Sequence, residues 1–332
     1  MGSVRGRRGR RTLRPVCGAA VALVAVGLVA ASGCSSSDEP SAQTGSTTSP
    51  PSTAAVEDAG PVGAAVIAHR GASAYAHEHT FAAYDLALEQ GADYLEQDVQ
   101  LTADGELVVL HDGTLDRTVR GPVETCTGPV GERALAEVQS CDAGSAFDEA
   151  HPDLADPGHA DERVPTLAEV LDRYGPEARY YIEVKSPAEQ PGIEEALLAV
   201  LDDAELAAAT EARPPVYIQS FSGDSLRAIH ERRPDLPLVR LLPAEVGEVT
   251  PEMLDDLAGY ASVVAPAARL VDADLVAAAH ERCLAVHPWT IDDPDEIRRL
   301  LDAGVDGIFT NVPDVMAAEV ADRDPPLERC TP

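Results

Sequence analysis

Seven polar residues of this sequence stand at or just after the end of a short apolar run that has the composition of a buried β-strand. They are His69, Arg70, Glu96, Asp98, Glu183, Lys185 and Gln219. Two pairs, Glu96 with Asp98 and Glu183 with Lys185, are spaced by two positions, so each pair points to one side of its strand. Charges gathered in this way cannot be buried together unless they neutralise one another or bind a metal ion.

The three carboxylates indicate a divalent metal site. Glu96, Asp98 and Glu183 come without clustered thiols, and such hard oxygen ligands suit Ca²⁺ or Mg²⁺ better than zinc. Arg70 and Lys185 beside such an ion would form a pocket for a phosphate oxyanion. The chain has 25 basic and 57 acidic residues, so a phosphate-bearing substrate needs a local positive site of this kind. The same charge argues against nucleic acid or an anionic membrane surface as a general partner.

Two histidines could carry protons at this site. His69 ends the first apolar run, and His111 follows a run that returns from the second run across the turn Ala103-Asp104-Gly105. Imidazole changes its protonation near neutral pH, which suits a general base and a general acid. A metal site, two cations and paired histidines around one phosphate indicate cleavage of a phosphodiester.

The elements that must position these residues alternate regularly along the chain. We predict strands at Val66–His69, Tyr94–Asp98, Tyr180–Glu183, Val216–Ser220, Leu238–Leu242, Ser262–Ala265, Leu284–His287 and Gly307–Thr310. Helices are predicted near 79–90, 165–173, 191–207, 222–233, 251–258, 272–281, 294–303 and 313–321. Eight strands and eight helices match an α/β fold of the (β/α)₈ TIM barrel type, whose active sites lie at the carboxyl ends of the strands. A doubly wound open sheet fits less well, because no glycine-rich phosphate loop follows the first strand.

The hairpin that follows the second strand leads into a long insertion. The run Glu106–Asp112 is predicted to pair antiparallel with Asp98–Thr102, and the insertion, 113–164, is rich in Gly, Pro and acidic residues. A stretch of this length with little regular structure is commonly functional or mobile, and we expect it to cap the mouth of the barrel. Because only 4% of the residues are aromatic, the core is expected to consist of Ala, Val and Leu.

The amino-terminal part of the chain has the pattern of an export signal. Residues 1–33 contain six arginines followed by about sixteen apolar residues, fewer than a membrane span requires. Small residues before Cys34 resemble the lipobox of bacterial lipoproteins, in which the cysteine is acylated, although Ala31 stands where leucine is usual. Residues 34–62, rich in Ser, Thr, Pro and Gly, predict a disordered tether, followed by the barrel at 63–322 and a tail at 323–332. We expect an exported cell-surface lipoprotein, or a secreted protein if the signal is simply cleaved.

An exported protein is expected to form disulfides. Beyond the leader and Cys34, four cysteines remain: Cys126, Cys141, Cys283 and Cys330. An even number in an oxidising compartment predicts two bridges. Closeness in sequence favours Cys126–Cys141, which leaves Cys283–Cys330 to fix the tail. A zinc site has no support from CxxC spacing or a neighbouring histidine cluster.

Eight sequence blocks span roughly residues 64–321. They are AHRG (Ala68–Gly71), EQDVQLTADG (Glu96–Gly105), HD (His111-Asp112), VPTLAEVL (Val164–Leu171), IEVK (Ile182–Lys185), QSF (Gln219–Phe221), WTIDD (Trp289–Asp293) and DGIFTNVPD (Asp306–Asp314). Block by block and in order, they resemble the glycerophosphodiester phosphodiesterase family. The resemblance implies a (β/α)₈ barrel that hydrolyses deacylated phospholipids such as glycerophosphocholine to glycerol 3-phosphate and an alcohol.

The resemblance also implies a role for each site residue. The roles are an acid/base pair of His69 and His111, metal ligands Glu96, Asp98 and Glu183, phosphate contacts from Arg70 and Lys185, and a pocket wall at Trp289. The sequence departs from the family at His77-Glu78-His79-Thr80, where Pro-Glu-Asn-Thr is common. We interpret His77 and His79 as exposed loop histidines rather than an extra metal site. His287 could lie in the barrel lumen or be buried structure, and it is not assigned to the site.

Two other classes of function compete with this one. A phospholipase D-like barrel, or one like phosphatidylinositol-specific phospholipase C, would attack intact lipid and would favour an exposed apolar rim, whereas residues 142–163 of the insertion are polar. A non-catalytic lipoprotein that captures phosphodiesters would have lost a histidine or a carboxylate, and none is missing. The expected partner is therefore a small glycerophosphodiester, with membrane contact only through the lipid anchor and no protein partner implied.

Overall fold

The apolar runs of the sequence form strands in the computed structural model, which describes residues 63–204, 206, 213–321 and 323. The strands in this part of the chain are β1 (Ala65–Ala68), β2 (Tyr94–Leu101), β3 (Leu107–Val109), β4 (Tyr180–Val184), β5 (Val216–Ser220), β6 (Leu238–Leu242), β7 (Val263–Pro266), β8 (Ala285–Val286) and β9 (Gly307–Thr310). Apart from β3 they are parallel, in the order β8-β7-β6-β5-β4-β2-β1-β9. Backbone hydrogen bonds from Asp306 to Val286 and from Phe309 to Pro288 bring the two end strands together. The sheet is therefore a nearly closed eight-stranded barrel, and the predicted fold is confirmed.

Helices follow the barrel strands and cover the outside of the sheet. They are α1 (Phe81–Glu89), α2 (Leu135–Val138), α3 (Ser145–Ala150), α4 (Leu167–Tyr174), α5 (Ile193–Asp203), α6 (Gly223–Arg232), α7 (Pro251–Leu257), α8 (Ala273–His280), α9 (Pro294–Ala303) and α10 (Pro313–Ala321). Several begin where the sequence supplies a cap. The Thr166 hydroxyl accepts the backbone N–H of Glu169 at the start of α4, and the Glu169 carboxylate accepts the backbone N–H of Thr166 in return. The Ser222 hydroxyl accepts the backbone N–H of Ser225 at the start of α6.

Two apolar layers stabilise the barrel. The outer layer, between strands and helices, consists mainly of Ala, Val, Leu and Ile side chains, as the composition predicted. The lumen instead holds the rings of Tyr94, Tyr181, Tyr217 and Phe309, with neighbouring centroids 4.8–5.7 Å apart. The expectation of a core of Ala, Val and Leu was therefore incomplete, because the inward-facing positions of an eight-stranded barrel leave room for large rings. The three tyrosines lie two positions before Glu96, Glu183 and Gln219, so they form the floor beneath those side chains.

The predicted hairpin forms, and the insertion after it is partly ordered. Strand β3 pairs antiparallel with β2, with Val99 opposite Val109. The insertion contains the short helices α2 and α3 and an apolar cluster of its own, so it has more regular structure than expected. A disulfide joins Cys126 and Cys141, as their closeness in sequence predicted. Beside it, Arg120 and Asp142 exchange both backbone hydrogen bonds, which closes this part of the insertion into a compact loop.

Several predictions concern residues that the structure does not describe. The leader, the tether with Cys34, and Cys330 in the tail all lie outside the described residues. Cys283 takes part in a disulfide, but its pairing with Cys330 stays a prediction. Within the described ranges, no helix combines the length and the apolar character that crossing a bilayer requires.

Candidate active site

Strand register brings the predicted ligands side by side at the carboxyl end of the barrel. In the parallel pairing, Asp98 of β2 lies opposite Glu183 of β4, and Glu183 lies opposite Gln219 of β5. Glu96 faces the same side of β2 as Asp98, because alternate residues of a strand share a face. All four side chains are buried. Three carboxylates and one amide thus form a polar layer directly above the tyrosine floor.

Glu96 is fixed by the loop after β1 and by β5. Its carboxylate accepts the backbone N–H of Arg70 at 2.8 Å and the side-chain amide N–H of Gln219 at 3.0 Å. Arg70 adopts a left-handed backbone conformation, with φ of 61°, and Gly71 follows with φ of 86°. A Cβ atom at Gly71 would lie 2.7 Å from the backbone of Ala83, so only glycine lets this loop pack against α1. The loop geometry therefore directs the Arg70 N–H at the Glu96 carboxylate.

Asp98 lies at the centre of the charged groups. Its Oδ2 atom is 2.9 Å from Nε2 of His79 and 3.3 Å from Nε of Arg70. Its Oδ1 atom is 3.5 Å from Nζ of Lys185, which in turn is 3.0 Å from Oε1 of Glu183. Lys185 therefore lies between the carboxylates of two neighbouring strands, as its spacing from Glu183 predicted.

The carboxyl groups differ in acidity according to their neighbours. Burial and the nearby Asp98 raise the pKa of Glu96 well above its ordinary value and that of Glu183 to about 8. Burial also disfavours the charged form of Asp98, but Lys185, His79 and Arg70 outweigh it and hold the pKa of Asp98 well below its usual range. The site thus binds protons at Glu96 and Glu183 unless a further cation compensates their charges, which is the behaviour expected of metal ligands.

His77 and His79 are buried, so their interpretation as exposed loop histidines is wrong. The side chain of His79 is 2% exposed, with Nε2 on Asp98 and Nδ1 2.9 Å from the hydroxyl of Tyr84. His77 lies against the ring of Phe147 in the insertion, at 6.4 Å between centroids. The sequence could not show this, because the burial of both residues depends on contacts with distant segments of the chain. His79, Glu96 and Asp98 together offer ligand atoms that all lie within 4.8 Å of one another.

His69 is oriented by a chain of hydrogen bonds that reaches β9. Its Nδ1 atom lies 2.7 Å from Oδ1 of Asn311. The side-chain N–H of Asn311 donates to Oδ2 of Asp292 at 2.7 Å, and its backbone N–H donates to Oδ1 of the same carboxylate. Asp292 accepts only, so Asn311 must turn its oxygen toward His69 and accept the Nδ1 proton. Nε2 of His69 is left as a proton acceptor, and burial, with Arg70 nearby, lowers the pKa of His69 to about 4.

His111 has a different partner on its ring. Its Nδ1 atom lies 2.7 Å from Oδ1 of Asp112, whose carboxylate also pairs with Arg117. Burial lowers the pKa of His111 below its ordinary value, while Asp98 and the hydrogen bond to Asp112 act in the opposite direction. A charged carboxylate on Nδ1 stabilises an imidazolium more than the neutral amide on His69 does, so the two histidines are biased toward opposite proton-transfer roles.

An aromatic pair lies at the rim of the barrel. Trp289 follows β8, donates its indole N–H to the backbone of Ala265 at 2.8 Å and faces Phe221 edge-to-face at 5.4 Å. Phe221 is 39% exposed, so the pair offers an apolar surface to solvent at the end of β5. His287 lies deeper, 3% exposed, with Nδ1 3.0 Å from the hydroxyl of Tyr181. It therefore belongs to the lumen, at the level of the tyrosine floor.

The structure thus gathers the predicted carboxylates and cations around Asp98, with His69 and His111 near enough to be affected by its charge, and it adds residues that sequence reasoning did not assign. These are His79, Asp112, Arg117, Gln219, Asp292 and Asn311. Gln219 ended a predicted strand, and Asn311 and Asp112 lie in sequence blocks, so a signal existed for them. Arg117 lies in none of the blocks, and only the folded structure reveals its contacts.

Comparisons with known proteins show which family the sequence matches. Residues 69–315 match the glycerophosphoryl diester phosphodiesterase family. A glycerophosphodiester phosphodiesterase of Bacillus subtilis is 43% identical over 250 residues, which cover 75% of this chain and 84% of that protein. One from Caldanaerobacter subterraneus subsp. tengcongensis is 37% identical over 254 residues, covering 76% and 95%.

A solved structure extends the comparison to three dimensions. An Oleispira antarctica phosphodiesterase, determined in complex with the product sn-glycerol-3-phosphate, superposes with a TM-score of 0.65 at 25% identity. The match covers 77% of this chain and 96% of that one. The likeness therefore extends over almost the whole of the related chain.

Proposed function

This chain belongs to the glycerophosphoryl diester phosphodiesterase family and is a phosphoric diester hydrolase, and on that premise we propose how it works and on what. The proposed reaction is metal-dependent hydrolysis of glycerophosphodiesters such as glycerophosphocholine to glycerol 3-phosphate and an alcohol. The product held by the Oleispira antarctica phosphodiesterase supports this choice of substrate class. One observation carries the mechanism. Two histidines, one with an amide and the other with a carboxylate on Nδ1, lie beside a buried cluster of carboxylates and cations.

The metal ligands proposed are Glu96, Asp98 and Glu183, with His79 beside them. The residues fit a divalent cation, because the pKa values of the buried Glu96 and Glu183 stay raised although Arg70 and Lys185 lie beside the carboxylates. The side-chain oxygen of Gln219 is also buried without a hydrogen-bond partner. Oxygen ligands of this kind favour Ca²⁺ or Mg²⁺. When bound, such an ion polarises a phosphoryl oxygen and stabilises negative charge that develops on it.

The two histidines are proposed to move the protons. Because Asn311 engages Nδ1 of His69, Nε2 is available to take a proton from the water that attacks phosphorus. As the bond from phosphorus to the alcohol oxygen breaks, Nε2 of His111 donates a proton to that oxygen, and Asp112 stabilises the imidazolium beforehand. Arg70 and Lys185 hold the phosphate oxygens, and Trp289 with Phe221 forms an apolar wall for the rest of the substrate.

A turnover panel tests the proposal. Purified enzyme, stripped with EDTA, is given glycerophosphocholine, other glycerophosphodiesters or intact phosphatidylcholine, with Ca²⁺, Mg²⁺ or no metal. We expect glycerol 3-phosphate from the deacylated substrates only, and only when a metal is present. Glu96→Gln, Asp98→Asn and Glu183→Gln should each weaken metal binding measured by calorimetry. Turnover by metal-free enzyme would contradict the metal proposal, and hydrolysis of intact lipid would contradict the substrate proposal.

We further propose that the enzyme works outside the cytoplasm, attached to the cell surface through Cys34. The support comes from the sequence, where the arginine-rich apolar leader is followed by small residues, a cysteine and a tether. The disulfide between Cys126 and Cys141 is consistent with an oxidising compartment.

A further inference from the structure

Arg117, near the start of the insertion, contacts two carboxylates on different sides of the pocket rim. We propose that Arg117 is a positioning residue for the reaction: it holds Asp112 against His111 and, through Glu78, holds the loop that carries Arg70. The inference rests on the proposed role of His111 as the general acid. It assigns to the insertion a direct part in catalysis, beyond covering the mouth of the barrel.

The contacts of the Arg117 guanidinium are bidentate on both sides. Nε donates to Oδ2 of Asp112 at 2.7 Å, and Nη2 donates to Oδ1 of the same residue at 3.0 Å. Nη1 donates to Oε2 of Glu78 at 2.9 Å, and Nη2 donates to Oε1 at 2.7 Å. A planar fork that pairs twice with each carboxylate fixes the orientation of both, which a point charge could not do.

Each carboxylate passes this constraint on to a functional group. Asp112 contacts Nδ1 of His111 at 2.7 Å, and Glu78 contacts Nη1 of Arg70 at 3.2 Å. The side chains of His111 and Asp112 are 33% and 26% exposed, so neither is held by burial alone. Without Arg117, Asp112 keeps its hydrogen bond to Nδ1 of His111, but the carboxylate can rotate and carry the imidazole away from the leaving oxygen.

The charges around His111 determine what removing Arg117 should do. Asp98 and Asp112 favour the imidazolium form of His111, while Arg70 and Lys185 disfavour it, and Arg117 pairs with Asp112. Arg117 competes with His111 for the negative charge of Asp112. Replacing Arg117 therefore favours the imidazolium form of His111, while replacing Asp112 disfavours it. Arg117→Gln and Asp112→Asn should shift the titration of His111 in opposite directions.

The experiment compares Arg117→Gln, Arg117→Lys, Asp112→Asn and His111→Ala with the metal-loaded wild-type enzyme. Arg232→Gln is the matched control, because Arg232 is 48% exposed against 49% for Arg117 and pairs with Glu195 between the outer helices α6 and α5. The readouts are kcat and KM on glycerophosphocholine across pH, the titration of His111 followed by NMR, and Tm. His111→Ala identifies the NMR signal.

Arg117→Gln should lower kcat about tenfold or more, since misplacing an acid by a fraction of an ångström slows proton transfer. Arg117→Gln should also raise the pKa of His111 and move the alkaline limb of the pH profile of kcat to higher pH. Asp112→Asn should lower the pKa of His111 and move that limb to lower pH. Arg117→Lys should restore only part of kcat, because an ammonium cannot pair twice with both carboxylates. Arg232→Gln should stay within about twofold of wild type, as is usual for an exposed pair.

Three results would overturn the inference while leaving the proposed function intact. One is Arg117→Gln with wild-type kcat although His111→Ala is inactive. The second is a rise in KM alone with no movement of the pH profile, which would make Arg117 a substrate contact. The third is a loss of activity that only follows a lower Tm. Full activity of His111→Ala would instead contradict the proposed function itself.

Discussion

At the scale of single residues, the roles in this site follow from what each side chain contacts rather than from its type. His69 and His111 are the same residue type, but Nδ1 of His69 contacts an amide oxygen, whereas Nδ1 of His111 contacts a carboxylate. Likewise Glu96 and Asp98 share a strand face, yet their pKa values shift in opposite directions, because Lys185 and His79 lie on Asp98. The sequence predicts which residues meet, and the contacts decide what each can do.

The histidine pair gives the first residue-scale prediction. His69→Ala and His111→Ala should each reduce kcat/KM at least about a hundredfold, the usual contribution of a positioned acid or base. Metal affinity should be unchanged, because neither ring is among the proposed ligands. His230→Ala, on the outer helix α6, serves as the control for a lost imidazole and should behave as wild type. Activity near wild type in either site variant would remove that histidine from the mechanism.

Lys185 gives the second prediction at the residue scale. It is the only lysine among 25 basic residues, and it lies between Glu183 and Asp98 at 3.0 and 3.5 Å. Arginine would keep the charge, but its wider planar group needs more room than the gap between two carboxylates and a phosphate oxygen provides. Lys185→Arg should therefore lose most of kcat/KM on glycerophosphocholine at saturating metal, nearly as much as Lys185→Met. Full activity of Lys185→Arg would show that only the charge matters there.

At the scale of elements, the barrel was predictable because each strand and cap has a local signal. The strands at Val216–Ser220, Leu238–Leu242 and Gly307–Thr310 coincide with the predicted ones, and α9 and α10 begin at the predicted prolines. What local signals could not supply is contact across the chain. His79 is buried through Asp98, 19 positions away, and Arg117 acts on Glu78, 39 positions away. Only the closing of the barrel and the packing of the insertion create these neighbours.

The disulfide of the insertion gives a prediction at this scale. It closes a loop of 15 positions within a small apolar cluster, so Cys126→Ser with Cys141→Ser should lower the free energy of unfolding by roughly 3 kcal/mol on the chain-entropy model. The measurement is chemical denaturation of the variant beside oxidised and reduced wild type. Under reducing conditions, which also open the bridge at Cys283, wild type and variant should be equally stable. Equal stability of the oxidised wild type and the variant would mean that the apolar cluster alone holds the loop.

At the scale of the whole molecule, charge and location bear on each other. Removing the first 33 residues takes away six arginines and no acidic residue, leaving 19 basic against 57 acidic residues, a formal charge of −38. Such a surface is repelled by anionic lipid headgroups, so electrostatics cannot hold the enzyme at a membrane. The attachment proposed above would therefore depend on acyl chains at Cys34 rather than on surface charge.

This reasoning predicts the behaviour of Cys34→Ala. In cells that express the full chain, wild-type protein should fractionate with membranes and incorporate labelled fatty acid, because buried acyl chains outweigh the repulsion of the acidic barrel. Cys34→Ala should lose the label and appear in the soluble extracellular or washed fraction, with kcat/KM unchanged since the site lies entirely in the barrel. A wash in high salt is the control. Salt screens the repulsion between the acidic protein and the membrane, so it should not release an acylated protein. Wild-type protein without label, or Cys34→Ala still bound to membranes, would show that Cys34 is not the anchor.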